Sequence, residues 1–151
     1  FRHNIDAKGR LIIPSKLREQ CGESVVITRG FDGCLALYTQ EGWNDYYQKL
    51  QTLPKTKREA RNFVRIITSR ASECEFDKLG RVNIPNVLRI EGKLEKECII
   101  VGVGDHVEIW NQNIWDDYYD ANKDNVRLVL ATTCKNRVLS TPKTDSHRNY
   151  I

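Results

Sequence analysis

The sequence predicts an α+β fold made by tandem duplication, with two related halves packed together as one pseudo-twofold unit with short flanking helices. A nine-residue pattern, D-x-x-G-R-Φ-x-Φ-P with Φ aliphatic, occurs at 6–14 and again at 77–85, and the match continues through Leu-Arg at 17–18 and 88–89. An aromatic segment at 43–47 recurs at nearly the same spacing. Such internal repeats decide the fold. Since a half of about 60 residues buries a poor core alone, the halves are expected to pack together.

The first half is predicted to open with a β-hairpin over residues 3–13. Asp6 begins its turn, and Gly9 supplies the positive φ that a tight turn needs. Pro14 ends the second strand and suits the first turn of a short helix, predicted over 15–20.

Two buried strands are predicted next, at 25–28 and 34–38, joined by a glycine-containing turn. A helix over 41–53 follows, because apolar side chains recur at helical spacing. These side chains form one stripe that we interpret as core: Trp43, Tyr46, Tyr47 and Leu50.

A linking helix is predicted from Thr56 to Thr68, because Thr56 and Glu59 have capping-box spacing. Its predicted buried stripe comprises Ala60, Phe63, Val64 and Ile67, and its basic residues are Lys57, Arg58, Arg61 and Arg65. The basic face fits either a recognition helix in the DNA major groove or a solvated connector between the repeats. We favour the connector.

The second half is predicted to repeat this order, with a hairpin at 73–84, a helix at 86–91, strands at 98–103 and 107–110, and an aromatic helix at 114–121. Residues 126–130 fit a strand, and 136–151 have the polar, patternless composition typical of disorder. The predicted domains are a first repeat at 1–53, a linking helix at 54–70, a second repeat at 71–125 and a C-terminal tail at 126–151.

Charge is distributed unevenly along the chain. Residues 1–72 carry 13 Lys and Arg against 7 Asp and Glu, whereas residues 73–125 carry 6 against 12. A basic first half suits a phosphate-contacting surface, and the acidic second half could dock on basic surface of another copy. The longest apolar runs fall well short of the ~18 residues that a membrane span needs, so no membrane partner is expected.

Residues typical of catalysis or metal binding do not occur at a telling spacing. The five Cys include no C-x-x-C pair and are interpreted as reduced, buried thiols, and the three His do not complete a zinc site with them. Gly102-Val103-Gly104 lacks the third glycine of a dinucleotide fingerprint, and there is no P-loop. We therefore predict a protein that is not an enzyme, with no cofactor and no small-molecule substrate.

The repeated Asp-x-x-x-Arg is the candidate site. In a tight turn, residues four apart approach each other, so Asp6 can hold the guanidinium of Arg10, and Asp77 can hold that of Arg81. A fixed Arg at the rim of a β-ribbon suits the O6/N7 edge of guanine or a phosphate. The alternative is a structural salt bridge that only stabilises the turn. Two copies on one pseudo-symmetric unit favour DNA binding.

Neighbouring cations enlarge this candidate DNA-binding surface. Lys8 lies in the first turn and Lys78 in the second, while Arg2 and His3 precede the first. Two acidic residues, Glu73 and Glu75, precede the second turn and should repel phosphate. The first copy is therefore expected to bind DNA more strongly.

The segments at 6–14, 28–35, 76–85 and 107–110 closely resemble the bacterial MraZ family, over about residues 1–125. The resemblance implies a tandem swapped-hairpin, AbrB-like β-barrel fold of the SpoVT/AbrB type. It also implies a ring-shaped homo-oligomer, with an octamer as a candidate size. The family's DNA-contacting motif maps onto Asp6, Arg10, Asp77 and Arg81.

The function implied is a cytoplasmic, nucleoid-associated transcriptional regulator. Proteins of this kind bind short direct repeats in double-stranded promoter DNA ahead of the division and cell-wall gene cluster and usually repress it. One alternative is an AbrB-like antitoxin whose main partner is a toxin protein. Another is a ring-shaped scaffold that does not bind DNA.

Overall fold

A computed structural model describes residues 1–125 together with residues 129, 130 and 132. Over this range, pairs of consecutive strands are separated by one or two helices, and each half contributes four strands. In chain order the elements are β1 (Arg2–Asn4), β2 (Arg10–Ile12), α1 (Ser15–Arg18), β3 (Ser24–Arg29), β4 (Leu35–Thr39), α2 (Gln40–Gln51), α3 (Arg58–Arg70), β5 (Ser72–Glu75), β6 (Arg81–Asn83), α4 (Asn86–Glu91), β7 (Glu97–Gly102), β8 (Val107–Asn111), α5 (Gln112–Asn122) and a 3-10 turn (Lys123–Asn125).

The main sheet exchanges strands between the two halves. Its order is β1-β7-β8-β4-β3-β5, so the first strand of each half lies against the third strand of the other. At the centre, β4 pairs with β8, with Leu35 opposite Ile109 and Leu37 opposite Val107. The repeat relates Leu35 to Val107 and Leu37 to Ile109. This register therefore places the pseudo-twofold axis at the pair between them, Ala36 and Glu108. The predicted pseudo-twofold α+β unit is confirmed.

A separate two-stranded ribbon, β2 with β6, lies on the same axis. Leu11 is opposite Val82, and both side chains are fully buried against the main sheet in one contiguous apolar core. Because side chains alternate along a strand, the residues on either side of this pair face outward. The ribbon therefore has one core face and one outer face.

The two local hairpins expected at 3–13 and 73–84 are wrong as strand pairings. Each turn does close, with the amide of Asp6 donating to the carbonyl of Arg10 at 3.0 Å and that of Asp77 to Arg81 at 2.9 Å. Beyond the turns the strands separate and pair with the other half, apart from one bridge between Phe76 and Val82. A lone two-stranded hairpin is marginal in water, whereas exchange places each short strand in a shared sheet. This is the swapped hairpin that the family resemblance implied.

Helix α2 begins one residue before its predicted start and ends two residues before its predicted end. The Thr39 hydroxyl caps it by accepting from the amide of Gly42 at 2.9 Å. Of its predicted core stripe only Leu50 is buried. The rings of Trp43 and Tyr46 are half-buried and lie on Tyr38 of β4. The stripe is thus largely an aromatic cluster on the outer surface of the sheet.

The predicted capping box at Thr56 is wrong, because α3 begins one residue later than that motif requires and Lys57 caps it without a side-chain hydrogen bond. Only Ile67 of its predicted stripe is buried. The buried Thr28 hydroxyl donates to the Ile67 carbonyl at 2.8 Å and so ties this helix to β3.

Cys21, Cys34, Cys74 and Cys98 are buried free thiols, as predicted, and burial raises the pKa of Cys21 and of Cys98 to about 11. Cys134 and the expected disorder at 136–151 lie outside the described residues. Val129 and Leu130 are helical, so the strand predicted at 126–130 is wrong there. In the part of the chain that the structure describes, no helix is long and apolar enough to cross a membrane.

Thr28→Val should lower the free energy of unfolding by about 1–2 kcal/mol, because it leaves the buried Ile67 carbonyl without its partner. Thr52→Val is the matched control, since the Thr52 hydroxyl donates to the Lys49 carbonyl at 2.7 Å at an exposed helix end where water can replace it. Urea unfolding of both variants measures the difference. Equal losses would contradict the assigned role of the buried hydrogen bond.

Candidate nucleic-acid interface

The first Asp-x-x-x-Arg turn joins β1 to β2 and is held by one carboxylate. Asp6 Oδ1 accepts from the amides of Lys8 at 3.0 Å and Arg10 at 2.9 Å, while Oδ2 accepts from Arg10 Nε at 2.6 Å. The carboxylate therefore fixes both the backbone of the turn and the base of the guanidinium. The predicted contact between Asp6 and the Arg10 guanidinium is present through one carboxylate oxygen, and the other oxygen binds the backbone.

The second turn, between β5 and β6, has the same arrangement. Asp77 Oδ1 accepts from the amides of Leu79 and Arg81, both at 2.9 Å, and Oδ2 accepts from Arg81 Nε at 2.7 Å. In both turns the terminal Nη groups of the Arg make no hydrogen bond to the described part of the chain. Each Arg is therefore oriented through Nε while its two outer nitrogens stay available.

Electrostatics keep both carboxylates charged. The backbone amide of Arg10, followed by its guanidinium, holds the pKa of Asp6 below the 3.8 of an unperturbed aspartate, against a partial opposing effect of desolvation. The amide and guanidinium of Arg81 lower the pKa of Asp77 in the same way. At neutral pH both aspartates are therefore ionised and can accept the hydrogen bonds that hold the turns.

Each turn is also bonded to the opposite half of the chain. The carbonyl of Gly9 accepts from the amide of Ile84 at 2.8 Å, and the carbonyl of Gly80 accepts from the amide of Ile13 at 3.2 Å. Both glycines have positive φ, +82° and +77°, where a side chain would be strained. The first turn is thus completed by the second repeat, and the second turn by the first.

Two further arginines, Arg18 and Arg89, contact the glycines of the turns, and no role was predicted for them. Arg18 Nη1 donates to the carbonyl of Ile13 at 2.8 Å and to that of Gly80 at 3.4 Å. The guanidinium of Arg89 lies against Gly9, where an added Cβ would come within 2.8 Å of its Cζ. The extension of the repeat through Leu17-Arg18 and Leu88-Arg89 was the signal for both.

The ribbon places the two oriented arginines on one face. Arg10 is opposite Asn83, and Arg81 is opposite Ile12. These four residues flank the buried Leu11–Val82 pair and therefore lie on the outer face of the ribbon. The arginines are diagonal neighbours, with Cα atoms about 7–8 Å apart. Both are partly exposed, with 34% of the Arg10 side chain and 24% of the Arg81 side chain accessible. The structure therefore brings the two motif copies together.

The remaining candidates lie at different distances from this face. Lys8 and Lys78 are exposed within the turns. Arg2 is exposed on edge strand β1, about 13 Å of extended chain before Asp6, and its Nη2 lies 3.8 Å from a carboxylate oxygen of Asp116 in α5. His3, opposite Cys98, is half-buried in the same strand. Arg2 and His3 are thus part of the sheet edge rather than of the turns.

Parts of the basic side of α3 are engaged within the chain. Arg61 Nη1 donates to the carbonyl of Lys55 at 3.0 Å, and Arg70 Nε donates to Glu91 of α4 at 2.7 Å. Arg58 and Arg65 are exposed. Among the described residues, no group of three or more His, Cys, Asp or Glu side chains is placed to hold a metal ion.

The sequence model of one protein family, "MraZ protein, putative antitoxin-like", matches this chain twice, at residues 1–66 and 67–137. The chain belongs to the MraZ family. Both matches contain one Asp-x-x-x-Arg turn, and the second extends past residue 125, where the sequence resemblance was expected to end. The family matches do not decide the domain limits, so 1–53, 54–70 and 71–125 stay a prediction.

Curated members of the MraZ family are similar over most of their length. The protein named "Transcriptional regulator MraZ" from Ligilactobacillus salivarius (strain UCC118) is 55% identical over 125 residues, which are 83% of this chain and 87% of that protein. The protein of the same name from Limosilactobacillus reuteri (strain DSM 20016) is 52% identical over 125 residues, or 83% and 88%. The family is thus one of transcriptional regulators.

Arg10→Ala should raise the pKa of Asp6 only part of the way towards 3.8, because the backbone amide, the largest cause of the lowered pKa, remains. The stabilisation from Asp6 is fully present above the unfolded pKa and is lost as the pH falls through the lower folded pKa. An NMR titration of carboxyl carbons measures both aspartates at once. Asp77 is the internal control and should not change. A complete return of Asp6 to 3.8 would show that the guanidinium alone holds it.

Gly80→Ala should destabilise the chain more than Gly22→Ala. Both glycines have positive φ, which costs alanine about 1–2 kcal/mol, but only at Gly80 would the new Cβ overlap the Arg18 guanidinium. Displacing Arg18 from the Ile13 carbonyl should add about 1 kcal/mol. Urea unfolding compares the two variants, and equal losses would mean that Arg18 does not hold the turn.

Proposed function

We propose that this chain is a sequence-specific, double-stranded-DNA-binding transcriptional repressor. The observation that carries the proposal is the placement of Arg10 and Arg81 on the outer face of one ribbon, each oriented by its own aspartate. A salt bridge that served only the turn would not require both arginines to face outward together.

The chemistry of the fixed arginines suits base recognition. Asp6 and Asp77 each engage Nε, which leaves the two Nη groups of each Arg, with four N–H donors, without a partner among the described residues. A guanidinium presented in this way matches the O6 and N7 acceptors of guanine in the major groove. Fixing it in advance reduces the rotamer entropy that is lost on binding.

The dimensions of the ribbon suit the major groove. Two strands lie about 4.8 Å apart, and the groove is about 12 Å wide and admits a two-stranded ribbon. The diagonal separation of Arg10 and Arg81 is about 7–8 Å, which is close to two base-pair steps of about 3.4 Å. One ribbon would thus read bases two steps apart.

Cations in the turns would contact the flanking phosphates. Lys8 and Lys78 are exposed there, and each phosphate that a cation neutralises steepens the fall of affinity with salt. Glu75 is exposed shortly before the second turn, so the first turn is proposed to bind phosphate more strongly. Arg2 and His3 are proposed to affect DNA binding only at a distance, through the electrostatic potential of the sheet edge, and not by direct contact with DNA.

The family resemblance supplies the biological context of the proposal. The operator would be a set of short direct repeats in the promoter ahead of the division and cell-wall genes, read by a nucleoid-associated protein in the cytoplasm. A ring-shaped homo-oligomer, such as an octamer, would present several ribbons to one duplex. Weak single contacts would then add through effective concentration.

The antitoxin alternative has one observation in its favour, the antitoxin-like description of the family. It predicts that a small protein partner co-purifies with the chain and that Arg10→Ala does not affect that association. A chain that co-purified with such a partner and did not select operator DNA would overturn the repressor proposal.

Arg10→Ala should weaken binding to a promoter fragment with several direct repeats by roughly 5- to 150-fold per ribbon, the equivalent of about 1–3 kcal/mol for a two-pronged base contact. Arg10→Lys should recover little, since an ammonium keeps the charge without the planar fork. Fluorescence anisotropy at two salt concentrations, with a scrambled fragment alongside, measures both effects.

Arg58→Ala is the matched control, because it removes the same charge from an exposed position on α3, which is not part of the ribbon. It should reduce binding to both fragments slightly and equally. A larger loss of DNA affinity for Arg58→Ala than for Arg10→Ala would indicate that α3, and not the ribbon, contacts the DNA. Arg81→Ala, compared with Arg10→Ala, tests the expected preference for the first turn.

A further inference from the structure

The outer face of the ribbon departs from the pseudo-twofold symmetry at one position. Arg10 and Arg81 are counterparts in the two repeats, and so are the buried Leu11 and Val82. The next residues are Ile12 in the first repeat and Asn83 in the second. The two arginines therefore have chemically different neighbours.

The register defines those neighbours. Arg10 lies directly across from Asn83, and Arg81 lies directly across from Ile12. Side chains that face each other across an antiparallel pair have Cβ atoms about 4.5–5.5 Å apart. Each Arg thus forms a close pair with one neighbour, and the two pairs stand at opposite ends of the outer face.

Neither neighbour is explained by the fold. Ile12 is 41% exposed on a face that is otherwise polar, so its role is not to fill the core. Asn83 is exposed, and its side-chain amide makes no hydrogen bond within the described residues. An unpartnered amide and an exposed aliphatic group beside oriented arginines are groups that a ligand can contact.

Both groups have a definite match among base edges. An Asn amide pairs with N6 and N7 of adenine, while an apolar side chain contacts the C5-methyl group of thymine. A guanine beside an adenine suits the Arg10–Asn83 pair. A guanine beside a thymine suits the Arg81–Ile12 pair.

We propose that Ile12 and Asn83 determine base specificity next to the two arginines and make the ribbon read a non-palindromic site in one orientation. This inference rests on the proposed DNA-binding function. With identical outer residues, a twofold ribbon would bind a site equally well after rotation about its axis. The Ile12–Asn83 difference removes that degeneracy and fixes the direction in which each subunit lies on the duplex.

The test is selection of binding sites from a random double-stranded DNA library by the full chain and by two variants, Ile12→Asn and Asn83→Ile. The wild-type motif should differ from its own reverse complement. Each variant makes the outer face symmetric and should select a motif closer to a palindrome. Replacing the base that Asn83 contacts should weaken wild-type binding by about fivefold or more. Replacing the base that Asn83 or Ile12 contacts should have a much smaller effect on the variant altered there than on the wild type.

Both positions are exposed, so the variants should unfold at wild-type temperatures. Asn83→Ile places a β-branched residue in a strand and remains informative if Ile12→Asn is less stable. Wild-type motifs and base preferences retained in both folded variants would overturn the inference.

Arg10→Ala separates this inference from the proposed function. Binding that is lost in Arg10→Ala while Ile12→Asn and Asn83→Ile select the wild-type motif would leave the repressor standing and overturn the specificity roles. A wild-type chain that enriches no site would overturn both.

Discussion

The structure depends on two backbone hydrogen bonds that cross between the repeats, from Ile84 to the carbonyl of Gly9 and from Ile13 to that of Gly80. They join each Asp-x-x-x-Arg turn to the strand that leaves the other turn. Each turn is shaped by its own aspartate, and these bonds fix its position relative to the other half of the chain. The same two bonds hold β2 and β6 in the register that brings Arg10 and Arg81 onto one face.

Around this centre, the repeats attach their helices in parallel ways. In the first half, Tyr38 of β4 stacks with Tyr46 of α2 at a centroid distance of 5.1 Å. In the second, Trp110 of β8 packs against Trp115 and Tyr118 of α5 at 5.3 and 5.0 Å. The helices α2 and α5 thus pack on the main sheet through ring contacts.

Ion pairs within the chain partly compensate the uneven charge of the basic and acidic halves. Glu91 of the acidic half lies 2.7 Å from Arg70 and 3.9 Å from Arg29, both of the basic half, and Asp116 lies 3.8 Å from Arg2. These pairs are partly exposed, so each contributes little to stability in water. Each pair places a carboxylate of the acidic half beside a cation of the basic half.

Local chemistry in the sequence determined the duplication, the Asp-to-Arg contact within each turn, the positive φ at Gly9 and most element positions, because each depends on residues only a few positions apart. It could not determine strand partners, since a three-residue strand such as β2 is equally compatible with its own hairpin and with β6. The capping box at Thr56 failed because α3 begins after Lys57, and the hydrogen bond that ties this helix to the sheet joins Thr28 and Ile67, which are 39 residues apart. Only the tertiary structure, by exchanging strands between the halves, placed Arg18 and Arg89 behind the turns and Ile12 and Asn83 beside the arginines.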